Sequence, residues 1–143
     1  MRNRLNDLTN AEWLYWTNTI YETSFPPDAT HHLRKAHGAM KPPELMAEIV
    51  RFFTKEGELV LDPFAGVGGT LLGAAMVRRE ALGFELNPRW VEIYRRIQRE
   101  FVLDGDRLVK RAEAPSGREI SGKMVLGDCL ELMAALQPGS VAA

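Results

Sequence analysis

The run "ELVLD", residues 58–62, constrains the chain most. It is short, β-rich and almost continuously apolar, which suits a strand buried on both faces. It ends in Asp62 and Pro63, and "FAGVGG" then supplies Gly66, Gly68 and Gly69. Glycines there allow backbone conformations closed to other residues and let a ligand approach the main chain. "GTLLGAAMVRR" reads as the next helix, with Gly73, Ala74 and Ala75 small enough for close packing on a sheet. A strand that passes through a glycine turn into a helix opens a parallel βαβ unit.

The pattern repeats downstream. "ALGFE" predicts a strand over 81–85, and "NPRWVEIYRRIQREFVL" a helix over 88–103 with Asn87 as cap and Pro88 in its first turn. "KMVLGD" predicts a strand over 123–127, "CLELMAALQ" a short helix, and "PGSVAA" a turn and the first residues of a further strand. The connection 104–122 mixes both charges without apolar periodicity. It reads as a mobile connection, a long excursion or a locally disordered loop with little amide protection, and neither an added domain nor a dedicated DNA-binding arm is expected there. Upstream, Thr9 and Glu12 form a capping box for a helix that puts Trp13, Trp16 and Ile20 on one face. "SFPPDATHHLRKAHG" reads as loop, and "KPPELMAEIVRFFTK" as a helix with the stripe Leu45, Ile49, Phe52 and Phe53. The fold class is therefore α/β, a partial Rossmann-like arrangement of parallel strands 58–62, 81–85 and 123–127 with flanking helices. Two parts are expected: an N-terminal helical and loop segment, 1–36, and a binding domain, 37–143.

Composition narrows the class. The net charge of −1 gives no global pull toward nucleic acid, although a local basic face would suffice for binding. Cys129 is the single cysteine, which excludes an intrachain disulfide and fits a reducing, cytoplasmic compartment. No apolar stretch approaches the roughly 20 residues of a bilayer span. His31, His32 and His37 have no cysteine or acid at zinc-ligand spacing, so no metal is expected.

Three ligand types compete for the glycine turn. A triphosphate loop needs a lysine after its last glycine, and Gly69 is followed by Thr70 and Leu71. A dinucleotide turn needs glycine where Leu71 stands. Both matches fail. A carboxylate at the strand end, Asp62, repels a pyrophosphate and suits a ligand with a cationic end. S-adenosylmethionine carries an ammonium, a sulfonium and a ribose, and fits. Glu85 ends the second strand, where an acid can accept both ribose hydroxyls. Asp128 ends the third, placed to meet an adenine amino group.

"LDPFAGVGGT", "GFELNPRWVEI" and "VLGDCLELM" together resemble the cofactor half of the DNA amino-methyltransferases, which methylate adenine N6 or cytosine N4 and include restriction-modification enzymes. "HGAMKPPELMAEIV" resembles the lysine-proline segment that precedes the first strand in that family. The resemblance implies S-adenosyl-L-methionine as cofactor and DNA as the partner of the complete enzyme. It implies that Asp62, Phe64, Ala65 and Gly66 line the methionine and ribose region, with Lys41 and Pro42 against the methionine end. Glu85 would hold the ribose, with Leu86 beside the adenine, and Asp128 and Cys129 bordering it.

The family's chemistry resides in a tetrapeptide, Asp/Asn/Ser-Pro-Pro-Tyr/Phe, that grips the target amine of a base turned out of the duplex. It is expected after the strand that "PGSV" begins, beyond Ala143, so no catalytic residue is assigned here. "FPPD" at 25–28 has the prolines but neither the preceding polar residue nor the following aromatic. The chain is expected to be inactive alone and to require the missing C-terminal half, a partner subunit or a homo-oligomer. Alternatives are a non-catalytic regulatory subunit of a split methyltransferase and part of an RNA methyltransferase. Strand 58–62 would otherwise be a bare edge. It is therefore expected to be covered by a second copy, a partner, or the segment 1–36.

Overall fold

The computed structural model describes residues 3–17, 20 and 22–143. Its centre is a parallel sheet of β1 (Leu59–Asp62), β2 (Glu80–Glu85) and β5 (Lys123–Leu126), in the order β1-β2-β5. Leu59 to Asp62 face Glu80 to Gly83, and Leu82 to Glu85 face Lys123 to Leu126. This is the expected α/β arrangement, with strand limits within a residue of those predicted. Asp62 and Glu85 both end up at the carboxyl edge of the sheet, with Asp128 just past the end of β5.

The helices follow from the same alternation. α4 (Gly69–Met76) leaves the glycine turn, and Leu71, Leu72, Ala74 and Ala75 are fully buried in it. Gly73, however, serves a helix and not the sheet. A Cβ on it would stand 2.6 Å from the Pro43 carbonyl oxygen and from the Ala47 amide nitrogen. Both belong to α3 or its first turn (Pro43–Phe53), so the small residue sets how closely the two helices approach. α5 (Pro88–Glu100) is capped by the Asn87 side chain, which accepts from Arg89 N–H, and buries Val91, Tyr94 and Ile97.

Several sequence expectations are corrected. The helix from Pro88 stops at Glu100, and Phe101–Asp104 is a strand, β3, paired antiparallel with β4 (Arg107–Lys110). Arg111 ends the helix by donating from Nε to the Arg99 carbonyl (3.0 Å) and from Nη2 to the Gln98 carbonyl (3.0 Å). These are orphan acceptors of the last turn. The supposed mobile excursion 104–122 is therefore an ordered hairpin and return. Arg111 forks onto Glu119 at 2.6 and 2.8 Å, and Leu103 exchanges two backbone hydrogen bonds with Arg118. Gln98 Nε2 then fixes the approach to β5 by donating to the Ile120 and Gly122 carbonyls.

The edge of β1 is met by the chain's own last residues, and not by the described residues of the segment 1–36. Ala142 N–H donates to the Leu59 carbonyl (2.9 Å), and Leu61 N–H to an oxygen of Ala143 (2.7 Å). The reading of "PGSVAA" as the start of a strand is thus consistent with the contacts, and that segment lies along β1. The N-terminal residues pack elsewhere. α1 (Asn10–Trp16) carries the capping box as predicted, and Trp13 stacks on Phe52 of α3 at 4.9 Å. Asn6 donates to the Phe52 carbonyl, and Asp7 accepts from Glu56 N–H (2.8 Å) and Arg79 (3.2 Å). Ile20 lies outside the helix and is 79% exposed, so it does not share the tryptophan face.

The segment 24–38 is likewise not simply loop. It holds a single helical turn, α2 (His31–Arg34), followed by a 3-10 turn over Lys35–His37. Arg34 is the reason. Its guanidinium, 1% exposed, ion-pairs with Asp28, 5% exposed. It also donates to Thr30 Oγ1 (2.9 Å) and to the Lys41 carbonyl (3.0 Å). Removing one partner of a buried pair strands the other charge. Arg34→Ala is therefore expected to destabilise the protein by about 3–5 kcal/mol, measured by urea unfolding. A loss below about 1 kcal/mol, the range of an exposed pair, would contradict this role.

Candidate functional site

The glycine turn is held from two sides. Ala65 N–H donates to the Phe84 carbonyl at 2.9 Å, which stitches the turn to the end of β2. Gly66 N–H donates to Glu85 Oε2 at 2.8 Å, and Asn87 N–H to Glu85 Oε1 at 2.8 Å. An ionised carboxylate has roughly four acceptor positions. Two backbone donors occupy one on each oxygen, so Glu85 keeps one free position per oxygen while its geometry is fixed.

Gly68 is required by its surroundings. It adopts φ 81°, and a Cβ on it would lie 2.2 Å from Tyr94 Cδ2. Tyr94 is fully buried in α5 and cannot retreat, because its hydroxyl donates to the Gly122 carbonyl at 2.9 Å. Burial also pushes the Tyr94 phenol well above its ordinary pKa. It stays neutral and works as packing.

A cleft of about 250 Å³ opens beside the turn, lined by His37, Met40, Lys41, Asp62, Phe64 and Gly66 among others. It brings together Lys41, Asp62, Phe64, Ala65 and Gly66 of the residues singled out from sequence. Asp62 Oδ1 accepts from Phe64 N–H at 3.0 Å, which leaves its other oxygen without a described partner. Pro42 lines a neighbouring cleft with Phe25, His31, Arg34 and Met40. Glu85 reaches the turn through Gly66, whereas Leu86, Asp128 and Cys129 lie outside the cleft lining. Phe64 is 79% and Leu86 69% exposed, a large apolar surface at the carboxyl edge of the sheet. Asp128 caps α6 (Cys129–Ala134) by accepting from Leu130 N–H at 2.8 Å.

Sequence reasoning missed His37 as a site residue. It weighed the histidines only as metal ligands, although His37 stands inside the quoted segment "HGAMKPPELMAEIV". "FPPD" is accounted for structurally, since its Asp28 is committed to Arg34.

A family model of the N6/N4 type, described as DNA methylase, matches residues 2–96. The type II methyltransferase M.HindIII of Haemophilus influenzae is 49% identical over 51 residues, covering 36% of this chain and 16% of that protein. M.MjaI of Methanocaldococcus jannaschii is 32% identical over 79 residues, covering 55% and 26%. A Thermus thermophilus protein, provisionally assigned as a DNA modification methylase and solved with S-adenosyl-L-methionine, is 36% identical with a TM-score of 0.42. That match covers 61% of this chain and 30% of the other. The chain thus spans about a quarter or less of the curated relatives named here.

The wall at Gly68 can be tested against a second left-handed glycine. Gly105, in the turn between β3 and β4, has φ 63° and nothing within 4 Å of a Cβ position. Gly105→Ala is expected to cost only the left-handed penalty, about 1–2 kcal/mol. Gly68→Ala adds overpacking against Tyr94, about 1–3 kcal/mol more. Equal losses for the two in urea unfolding would show that Tyr94 does not constrain the turn.

Proposed function

The chain belongs to the N6/N4 DNA methylase family, and on that premise we propose that it is the S-adenosyl-L-methionine-binding portion of an enzyme that methylates adenine N6 or cytosine N4 of DNA. The family acts on DNA and is S-adenosylmethionine-dependent. One observation carries the cofactor assignment to this chain. Glu85 is fixed by two backbone donors and keeps one acceptor position free on each oxygen, the set that a ribose diol fills.

In this reading residues 37–143 form the cofactor-binding unit and residues 1–36 a separate N-terminal segment. Lys41, Pro42 and Asp62 take the methionine end. Phe64, Ala65 and Gly66 wall the centre, Glu85 takes the ribose, and Leu86, Asp128 and Cys129 border the adenine. The free oxygen of Asp62 complements the ammonium, and the exposed faces of Phe64 and Leu86 gain cover from the adenosyl group. Bound there, the cofactor supplies an electrophilic methyl group. What this chain's own residues contribute is binding and orientation. The sequence contains no Asp/Asn/Ser-Pro-Pro-Tyr/Phe tetrapeptide, so the groups that grip the target amine are assigned to a C-terminal half or a partner subunit. The enzyme is placed in the cytoplasm, with its DNA.

Calorimetry with S-adenosylhomocysteine tests the site. Glu85→Ala is expected to weaken binding about tenfold to a hundredfold, the worth of charged hydrogen bonds of about 1.5–3 kcal/mol. Unchanged affinity would remove Glu85 from the site. In a radiolabelled methyl-transfer assay on duplex DNA, the isolated chain is expected to show no turnover. Robust turnover would overturn the assignment of the chemistry to another half.

A further inference from the structure

Another cleft, of about 250 Å³, is lined by Arg78, Asp104, Ser116, Gly117 and Arg118 among others. It opens at the amino edge of the sheet, since Arg78 stands just before β2 and its carbonyl accepts from Gly57 N–H (3.0 Å), just before β1. Asp62 and Glu85 lie at the opposite edge. The volume falls below the range of drug-sized ligands, about 300–1,000 Å³, and suits one small group. Both arginines come from fixed backbone. Arg118 exchanges two hydrogen bonds with Leu103, each 2.8 Å. A Cβ on Gly117 would stand 2.5 Å from Val102 Cγ2, so the turn before Arg118 lies tight against β3. Arg78 follows α4 with φ 62°, a left-handed position that favours glycine. Its N–H donates to the Ala75 carbonyl at 3.2 Å.

Neither guanidinium is neutralised by the protein. Among the described residues no ion pair engages Arg78 or Arg118. Arg118 Nη2 is buried and has no hydrogen-bond partner. Burial, and after it the charge of Arg78, hold the Arg118 guanidinium below its ordinary pKa, and Glu56 opposes with a smaller effect. Asp104 shares the lining but is not among the charges that act on Arg118. Two cations thus repel each other across a small cleft, and an anion seated between them turns that repulsion into attraction. A guanidinium fork matches the oxygens of a phosphate, and Ser116 adds a hydroxyl to the same wall. We propose that this cleft binds a phosphate-class oxyanion, free or at the end of a small ester, through Arg78 and Arg118. The site is separate from the cofactor cleft and does not rest on the cofactor reading.

The test titrates the isotope-labelled full chain with inorganic phosphate, at ionic strength held constant with chloride, and follows backbone amide shifts. Saturable shifts are expected at Arg78, Gly117 and Arg118. Arg118→Gln and Arg78→Gly should each weaken phosphate about tenfold or more, the worth of charge-assisted hydrogen bonds. Arg78→Gly suits the left-handed backbone, so its loss of binding is not a loss of fold, and it decides the matter even if Arg118→Gln unfolds. Arg107→Gln removes an exposed arginine of the same hairpin that does not line this cleft, and should bind phosphate as the wild type does. Linear, unsaturated shifts, or the same shifts with chloride alone, overturn the proposal. So does phosphate affinity that survives in Arg78→Gly, or that falls equally in Arg107→Gln. A short DNA duplex that saturates these amides at lower phosphate-group concentration than inorganic phosphate also overturns it, in favour of a nucleic-acid backbone contact.

Discussion

The carboxylate of Glu85 is the constraint on which the site depends. It joins the end of β2 to a turn 19 residues earlier, through Gly66 N–H, and to the next helix, through Asn87 N–H. Charge-assisted hydrogen bonds of this kind are roughly twice as strong as neutral ones. Without this tie, the turn between Asp62 and α4 would be fixed by the Ala65–Phe84 backbone bond and by Tyr94 beneath Gly68. With it, two strand ends and a helix start share one anchor.

A second anchor works from the other side of the cleft. Arg34 binds Asp28 and Thr30 within its own segment and reaches the carbonyl of Lys41. That segment ends in His37, whose ring lies against the glycine turn, so the wall that carries Lys41 is placed by a buried guanidinium. Glu44 lies near the same pair. Its carboxyl pKa is raised, first by burial and further by Asp28, with Arg34 opposing. The close approach of α3 to Gly73 of α4 then carries this arrangement to the sheet.

The parallel sheet, the glycine turn and the capping box were legible because each has a short-range signal. Continuous apolar runs, glycines at a strand end and a Thr-x-x-Glu spacing determine local structure directly. The β3–β4 hairpin was missed although Asp104-Gly105 marks a turn between two apolar runs. The helical periodicity before it ran straight into Phe101, Val102 and Leu103. What stops the helix is Arg111, eleven residues past its end, a contact no local window contains. Arg34 and His37 were hidden for the same reason. Two prolines and a glycine dominate their segment, and their roles depend on partners brought in by the tertiary fold.

Amide chemical-shift mapping of the isotope-labelled chain during titration with S-adenosylhomocysteine tests the central claim most directly. The account predicts saturable shifts largest at Gly66 and Asn87, the two amides bonded to Glu85, with smaller ones around Phe64 and Leu86. Saturable shifts confined to other regions, with Gly66 and Asn87 unmoved, would contradict it.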